Sequence, residues 1–181
     1  MLSNEDKEAL VQISANNTVG LKFIFEKYYN GLCEFAKFYV LPSDVASDLV
    51  TEFFIRFWNQ RHQIVIKGSL KAYLFKSIKN ASLNHLRGRK MEMMNYEDYS
   101  EVLVSTELTP DEQMEFKEFQ DKLDTFANTL PERRKLILQL KLNSGFSNAE
   151  IAETLQIAES TVKNQLRTAI SSLDGTIKLK N

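Results

Sequence analysis

Apolar side chains recur along this chain mostly at steps of three and four, the spacing that lays one stripe of a helix against a core. The pattern predicts helices at about 4–15, 18–39, 43–60, 69–88, 111–128, 131–143, 147–155 and 159–174. Alternating stretches are scarce, and "IVIKG" (64–68), the one β-looking fragment, is short enough to be a loop. Start signals agree with this reading. Ser3 or Asn4, Ser43, Ser69, Thr109 before Pro110, and Ser147 can each accept a hydrogen bond from an unpaired first-turn amide. Pro110 and Pro131 suit a first helical turn, where a missing N–H costs nothing.

The periodicity breaks over "GRKMEMMNYEDYSEVLVSTELTP" (88–110). The expected fold is therefore all-α: two small helical domains, 1–90 and 116–181, joined by an acidic linker at 91–115. The three-residue turn Gln156-Ile157-Ala158 separates two short amphipathic segments in the second domain and gives it the spacing of a helix-turn-helix.

Net charge changes the picture only when it is read in blocks. The whole chain carries −1, which taken alone argues against a nucleic-acid binder. Residues 53–91, however, hold nine Lys and Arg and no acid, whereas 92–130 hold eleven acids and two bases. Residues 1–52 are net −4 and residues 131–181 net +3. Two cationic surfaces separated by an acidic connector are expected. The lone Cys33 permits no internal disulfide and suits a reducing compartment. The acidic opening lacks signal-peptide order, and no apolar run approaches the roughly 20 residues that span a bilayer. A cytoplasmic protein without membrane insertion is expected.

On a helix over 69–88, Leu70, Leu74, Phe75, Ile78, Ala81, His85 and Leu86 fall on one side. Tyr73, Lys76, Asn80, Asn84 and Arg87 line the other. A solvated face ordinarily gains about 0.2–0.5 kcal/mol from each Glu–Lys pair at this spacing. This one has none. It offers cations, amides and a phenol, which suit phosphates, base edges and base faces. The neighbouring Phe53, Phe54, Phe57 and Trp58 read as core, while the loop "RHQIVIKG" (61–68) could help to hold an extruded base. In the helix-turn-helix, Ile151, Ala152 and Leu155 face Val162, Leu166, Ala169, Ile170 and Leu173. Ser160, Thr161, Lys163, Asn164, Arg167 and Thr168 stand outside, toward the end that such a helix presents to the major groove.

"DLVTEFFIRFWNQRHQI" with "GSLKAYLFKSIKNASLNHLR" (48–87) resembles region 2 of bacterial sigma factors of the extracytoplasmic-function group, in the sigma-70 family. "LPERRKLILQLKLNSGFSNAEIAETLQIAESTVKNQLRTAISSL" (130–173) is similar to region 4 of that group. The resemblance implies an initiation subunit of RNA polymerase and not an enzyme. Core polymerase would be docked at the β′ clamp helices through Asp48, Glu52, Arg56 and Trp58, and at the β flap through region 4. The melted −10 non-template strand would meet Lys67, Tyr73, Lys76, Asn80, Asn84 and Arg87. The −35 duplex would be read by Ser160, Thr161, Lys163, Asn164 and Arg167. An anti-sigma factor is the implied inhibitor, and no cofactor or metal is implied. Gln156 and Ala158 stand where the group often has Gly and Ser. These departures allow a recognition helix that starts later, capped by Ser160, with its face displaced by about one position.

Two other readings bear on the same residues. "EIAETLQIAESTVKNQL" also resembles the output domain of LuxR-type activators, which bind duplex DNA without joining polymerase, but that reading leaves 43–90 unexplained. An enzyme has little to build on. His62, His85 and Cys33 lack metal-ligand spacing, no Gly-rich phosphate loop occurs, and His85 reads as a satisfied core residue.

Overall fold

The computed structural model describes residues 3–66, 68–89 and 126–178, without the side chains of 89 and 173–178. Seven helices are described: α1 (Asn4–Ser14), α2 (Thr18–Lys37), α3 (Ser43–Asn59), α4 (Leu70–Arg89), α5 (Glu132–Leu142), α6 (Asn148–Leu155) and α7 (Glu159–Lys178). A single helical turn at 126–128 precedes α5. No strand occurs among the described residues, and 64–66 is loop. The chain divides into two compact units, α1–α4 belonging to the first, and α5, the start of α6 and α7 to the second. The linker at 91–115, Thr109, Pro110 and most of the helix expected at 111–128 lie outside the described residues.

In the first unit, Ile24, Leu32 and Ala36 of α2, Ala46 and Val50 of α3, and Leu70, Leu74 and Ile78 of α4 are fully buried. These are the stripes that three-four spacing assigns to the core. Aromatic rings knit the helices together: Phe35 of α2 meets Phe75 of α4 at 5.1 Å, and Phe25 meets Phe54 of α3 at 5.0 Å between centroids. α1 rests on α2 where Gly20 faces the Ala9 carbonyl; any Cβ at Gly20 would collide with that oxygen. The close helix approach therefore needs glycine. Of three helix starts expected in this unit, one differs. Ser3 and Ser69 do cap, accepting from the Asp6 and Ala72 amides at 3.1 and 3.4 Å. Ser43 instead is the first helical residue behind Pro42, and no side chain caps α3. The inner stripe of α4 also ends early: Leu86 is 37% exposed, Ala81 only half-buried, and Ala72 is buried in their place. A stripe stays buried only while a neighbouring helix runs beside it.

In the second unit, Ile137 of α5, Phe146, Ile151 of α6, and Val162 and Ala169 of α7 form the centre of the core. Gly145, at φ 58°, turns the chain between α5 and α6, and Lys141 Nζ donates to the Phe146 carbonyl at 3.1 Å. Ser147 and Glu150 make a reciprocal capping box. The Ser147 hydroxyl accepts from the Glu150 amide at 3.2 Å, and the Glu150 carboxylate accepts from the Ser147 amide at 2.9 Å. Pro131 takes the position just before α5, one residue ahead of the first turn expected for it. Ile170, expected on the inner stripe of α7, is 54% exposed, and the Leu173 side chain is outside the described residues.

Candidate nucleic-acid interface

α3 and α4 enclose a cavity of about 310 Å³ in the first unit. Phe53, Arg56 and Phe57 line it from α3, Gln60 from the residue that caps the end of that helix, and Ile64 adds an apolar side chain from the following loop. From α4 come Tyr73, Ser77, Asn80, Ala81 and Asn84. The Ser77 hydroxyl is committed locally, donating to the Tyr73 carbonyl at 2.8 Å. What remains is an aromatic floor, three amides, one phenol and one guanidinium, with no carboxylate among the lining residues. Amides carry both a donor and an acceptor, and an aromatic ring stacks on any base. Such a lining suits an unpaired nucleobase.

Of the six residues expected to meet the −10 strand, Tyr73, Asn80 and Asn84 are brought together in this groove. Steps of seven and four hold them on one line of α4. Lys76 is half-buried and Arg87 exposed on the same helix, outside the lining, and Lys67 is outside the described residues. Phe53 and Phe57 are buried as expected, yet they also floor the cavity. His85 is half-buried, but its Nε2 finds no hydrogen-bond partner among the described residues, which corrects its reading as a satisfied core histidine.

The four residues expected to dock polymerase do not share one face. Asp48 and Glu52 are exposed along α3, and Ile55, 57% exposed, stands on the same line. Sequence reasoning passed over Ile55, although its spacing of seven from Asp48 was the available signal. Arg56 lines the groove instead, tied loosely to Glu52 at 3.9 Å. Trp58 is half-buried, with the Arg61 guanidinium 4.5 Å from its ring centroid.

In the second unit, Ser160, Lys163, Asn164 and Arg167 are exposed on one side of α7, with Thr161 half-buried beside Val162. Lys163 pairs with Glu159 at 3.2 Å, and Arg167 Nη2 donates to Asn164 Oδ1 at 3.5 Å. The helix start is not shifted. Gln156 takes the left-handed turn position at φ 58°, and the Ala158 carbonyl accepts the first intrahelical bond, from Val162 at 3.2 Å. Ser160 therefore sits inside the first turn and is not the cap. The small Ala152 accepts from the Ile157 amide at 3.0 Å, closing the turn between α6 and α7.

Among the described residues, no three His, Cys, Asp or Glu side chains gather as metal ligands would, and no helix is long and apolar enough to cross a membrane.

Comparison with known proteins bears on both units. The Sigma-70 region 2 family matches residues 24–91, and Sigma-70, region 4 matches residues 120–173. No curated protein matches the chain in sequence. Among solved structures, CnrH in complex with the cytosolic domain of CnrY is similar at a TM-score of 0.62 and 15% identity, over 98% of this chain and 100% of that one. The sigma factor RpoE in complex with the anti-sigma factor NepR, from Bartonella quintana, is similar at 0.60 and 22% identity, over 88% and 98%. At such identities these likenesses speak for the fold. Descent is carried by the two family matches, which fall in order on the two helical units: the chain belongs to the sigma-70 family, in the region 2 and region 4 layout of its extracytoplasmic-function group.

Proposed function

We propose that this protein is a cytoplasmic sigma factor that binds core RNA polymerase and directs promoter-specific initiation. Region 2 docks on the β′ clamp helices through the exposed line of α3, with Asp48 and Glu52, and Trp58 at its edge. It captures the melted −10 non-template strand along Tyr73, Asn80 and Asn84, flanked by Lys67, Lys76 and Arg87. Region 4 meets the β flap and reads the −35 element as duplex through Ser160, Thr161, Lys163, Asn164 and Arg167. Polymerase supplies the chemistry, so the chain itself is not an enzyme and needs no cofactor. The observation that carries the reading is the carboxylate-free groove of rings and amides within the stretch matched to Sigma-70 region 2. A few stacked bases, at about 1–3 kcal/mol each, offset the few kcal/mol that opening a strand costs.

The test is transcription with purified protein and core polymerase on a template that includes the gene's own upstream region. Promoter-specific starts that need both components support the proposal. Tight, specific binding to duplex DNA without polymerase, and no transcription with it, would establish the LuxR-type alternative. That alternative accounts only for the second unit.

An anti-sigma factor is proposed as the regulator, in line with the anti-sigma factor named in one similar structure. Recovery of an inhibitory protein with the chain from uninduced cells would support it; recovery of only free chain or polymerase complex would count against it.

A further inference from the structure

Trp58 is the chain's single tryptophan and sits in the last turn of α3. At 100° per residue it lies about 80° around that helix from Asp48, on the flank that carries Thr51. Thr51 Oγ1 is 3.5 Å from the Tyr29 hydroxyl, so this flank is the one turned toward α2. Ile55, 57% exposed, and the half-buried Trp58 are neighbours at a spacing of three. Docking surfaces draw much of their affinity from a few such rings, and more when a ring is already held in its bound orientation.

Arg61 holds this one. The chain leaves α3 at Gln60 and doubles back, the Arg61 amide donating to the Trp58 carbonyl at 3.2 Å. That return lays the guanidinium over the indole, 4.5 Å from the ring centroid. Nη1 donates to the same Trp58 carbonyl at 2.8 Å, at the helix end where a cation is favoured. Nε donates to Asn16 Oδ1 at 2.7 Å, on the turn between α1 and α2. A planar guanidinium bonded in two directions cannot rotate, and its plane sets the face of the ring it covers. The acceptor is equally well placed. Asn16 takes the left-handed conformation at φ 62°, and its amide donates to the Ile13 carbonyl at 3.0 Å. Asn17 beside it caps α2, accepting from the Val19 amide at 3.0 Å. Asn16 itself has no expected contact with polymerase or DNA.

We propose that Asn16 and Arg61 are positioning residues for polymerase docking, which hold the Trp58 ring as a preset contact beside Ile55. The pair acts through the indole and needs no contact of its own with polymerase. The inference rests on the sigma-factor reading and adds to it a device on the α1–α2 turn.

The test is titration of core polymerase with the full chain, alongside the fluorescence of Trp58 in the free chain. Asn16→Gly suits the left-handed backbone and deletes only the acceptor. It should weaken binding about three- to tenfold, the loss expected when one interface ring must be ordered on binding. It should also increase collisional quenching of Trp58 by acrylamide. Arg61→Met keeps the stem without the fork and should match both effects. Asn16→Asp keeps the acceptor and should retain the parent affinity. In a Trp58→Ala background Asn16→Gly should add no further loss, because no ring is left to hold. Parent-like affinity in both Asn16→Gly and Arg61→Met would overturn the proposal. So would an equal further loss in the Trp58→Ala background, since Asn16 and Arg61 would then brace the fold without acting through the ring. If the parent chain does not bind core polymerase at all, the sigma-factor reading fails and the inference with it.

Discussion

The Tyr28 hydroxyl stands 3.1 Å from each carboxylate oxygen of Asp6, and Lys27 Nζ reaches the same carboxylate at 3.0 Å. Asp6 lies on α1 and is 5% exposed, so this cluster ties the first helix to α2 through a charge that cannot turn to water. Removing a partner from a buried acceptor costs about 1–3 kcal/mol. Tyr28→Phe keeps the ring and deletes only the donor. It should lower stability by that amount in urea denaturation, with an unchanged slope. An unmoved midpoint would mean that Lys27 alone satisfies Asp6.

Two groups in α2 make the protein sensitive to alkali. Burial alone would lower the Lys27 ammonium, but hydrogen bonds and charge from Asp6 and Glu5 outweigh it and raise the group above its ordinary 10.5. Burial pushes the Cys33 thiol above its ordinary 9.0, against smaller opposing hydrogen bonds from Tyr29 and Ser47. Each holds its proton more tightly when folded than when unfolded. Their stabilising contributions are therefore complete below the unfolded values, and are lost as pH rises past about 9 for Cys33 and past about 10.5 for Lys27. Urea midpoints from pH 7 to 11 should fall in that order. Cys33→Ala should flatten the earlier part of the fall and Lys27→Met the later.

Helix positions were legible because three-four spacing directly encodes which side is buried, and most described ends lie within two residues of expectation. Ser147 was readable as a cap because its hydroxyl precedes an apolar-periodic run, and Glu150 three residues on completes the box. Leu86 and Ile170 misled for one reason: periodicity continues past the point where a neighbouring helix stops covering the stripe. The α4 wall of the groove was visible in the spacing of Tyr73, Asn80 and Asn84. Its α3 wall was not, since Arg56 and Gln60 sit among core aromatics, and only packing reveals which two helices face each other.

Gln156 adopts φ 58°, a conformation that costs a residue with a Cβ about 1–2 kcal/mol. Gln156→Gly removes that cost but adds about 0.5–1 kcal/mol of chain entropy in the unfolded state. The balance should be a gain of up to about 1.5 kcal/mol, read as a higher urea midpoint. A loss of stability would show that the Gln156 side chain contributes more than its backbone strain removes.

Lys76 and Arg87 flank the groove without lining it, so their expected contacts are with phosphates and not with base edges. Replacing each with Ala should weaken holoenzyme binding to every −10 sequence by a similar factor. It should also lower the salt slope by about 0.7 per residue on a single strand, or about 0.9 where the partner is duplex. Titration between 50 and 200 mM salt measures this directly, and an intact slope would place both side chains away from the backbone.

Asn164 and Arg167 share a hydrogen bond on the exposed side of α7, one turn apart. A free guanidinium can swing over several base pairs, whereas one held by an amide has a preferred direction, so the two residues should act as a unit in reading the −35 element. Replacing either with Ala should cost about 1–3 kcal/mol of discrimination at one or two base pairs. Because Asn164→Ala also releases Arg167, the double variant should lose less than the sum of the singles, with a coupling of at least about 0.5 kcal/mol. Competition binding with holoenzyme and single-base −35 variants gives all four corners of the cycle. Strict additivity would mean that the 3.5 Å contact does not orient Arg167 on DNA. Unchanged discrimination in both single variants would move the reading face to another side of the helix.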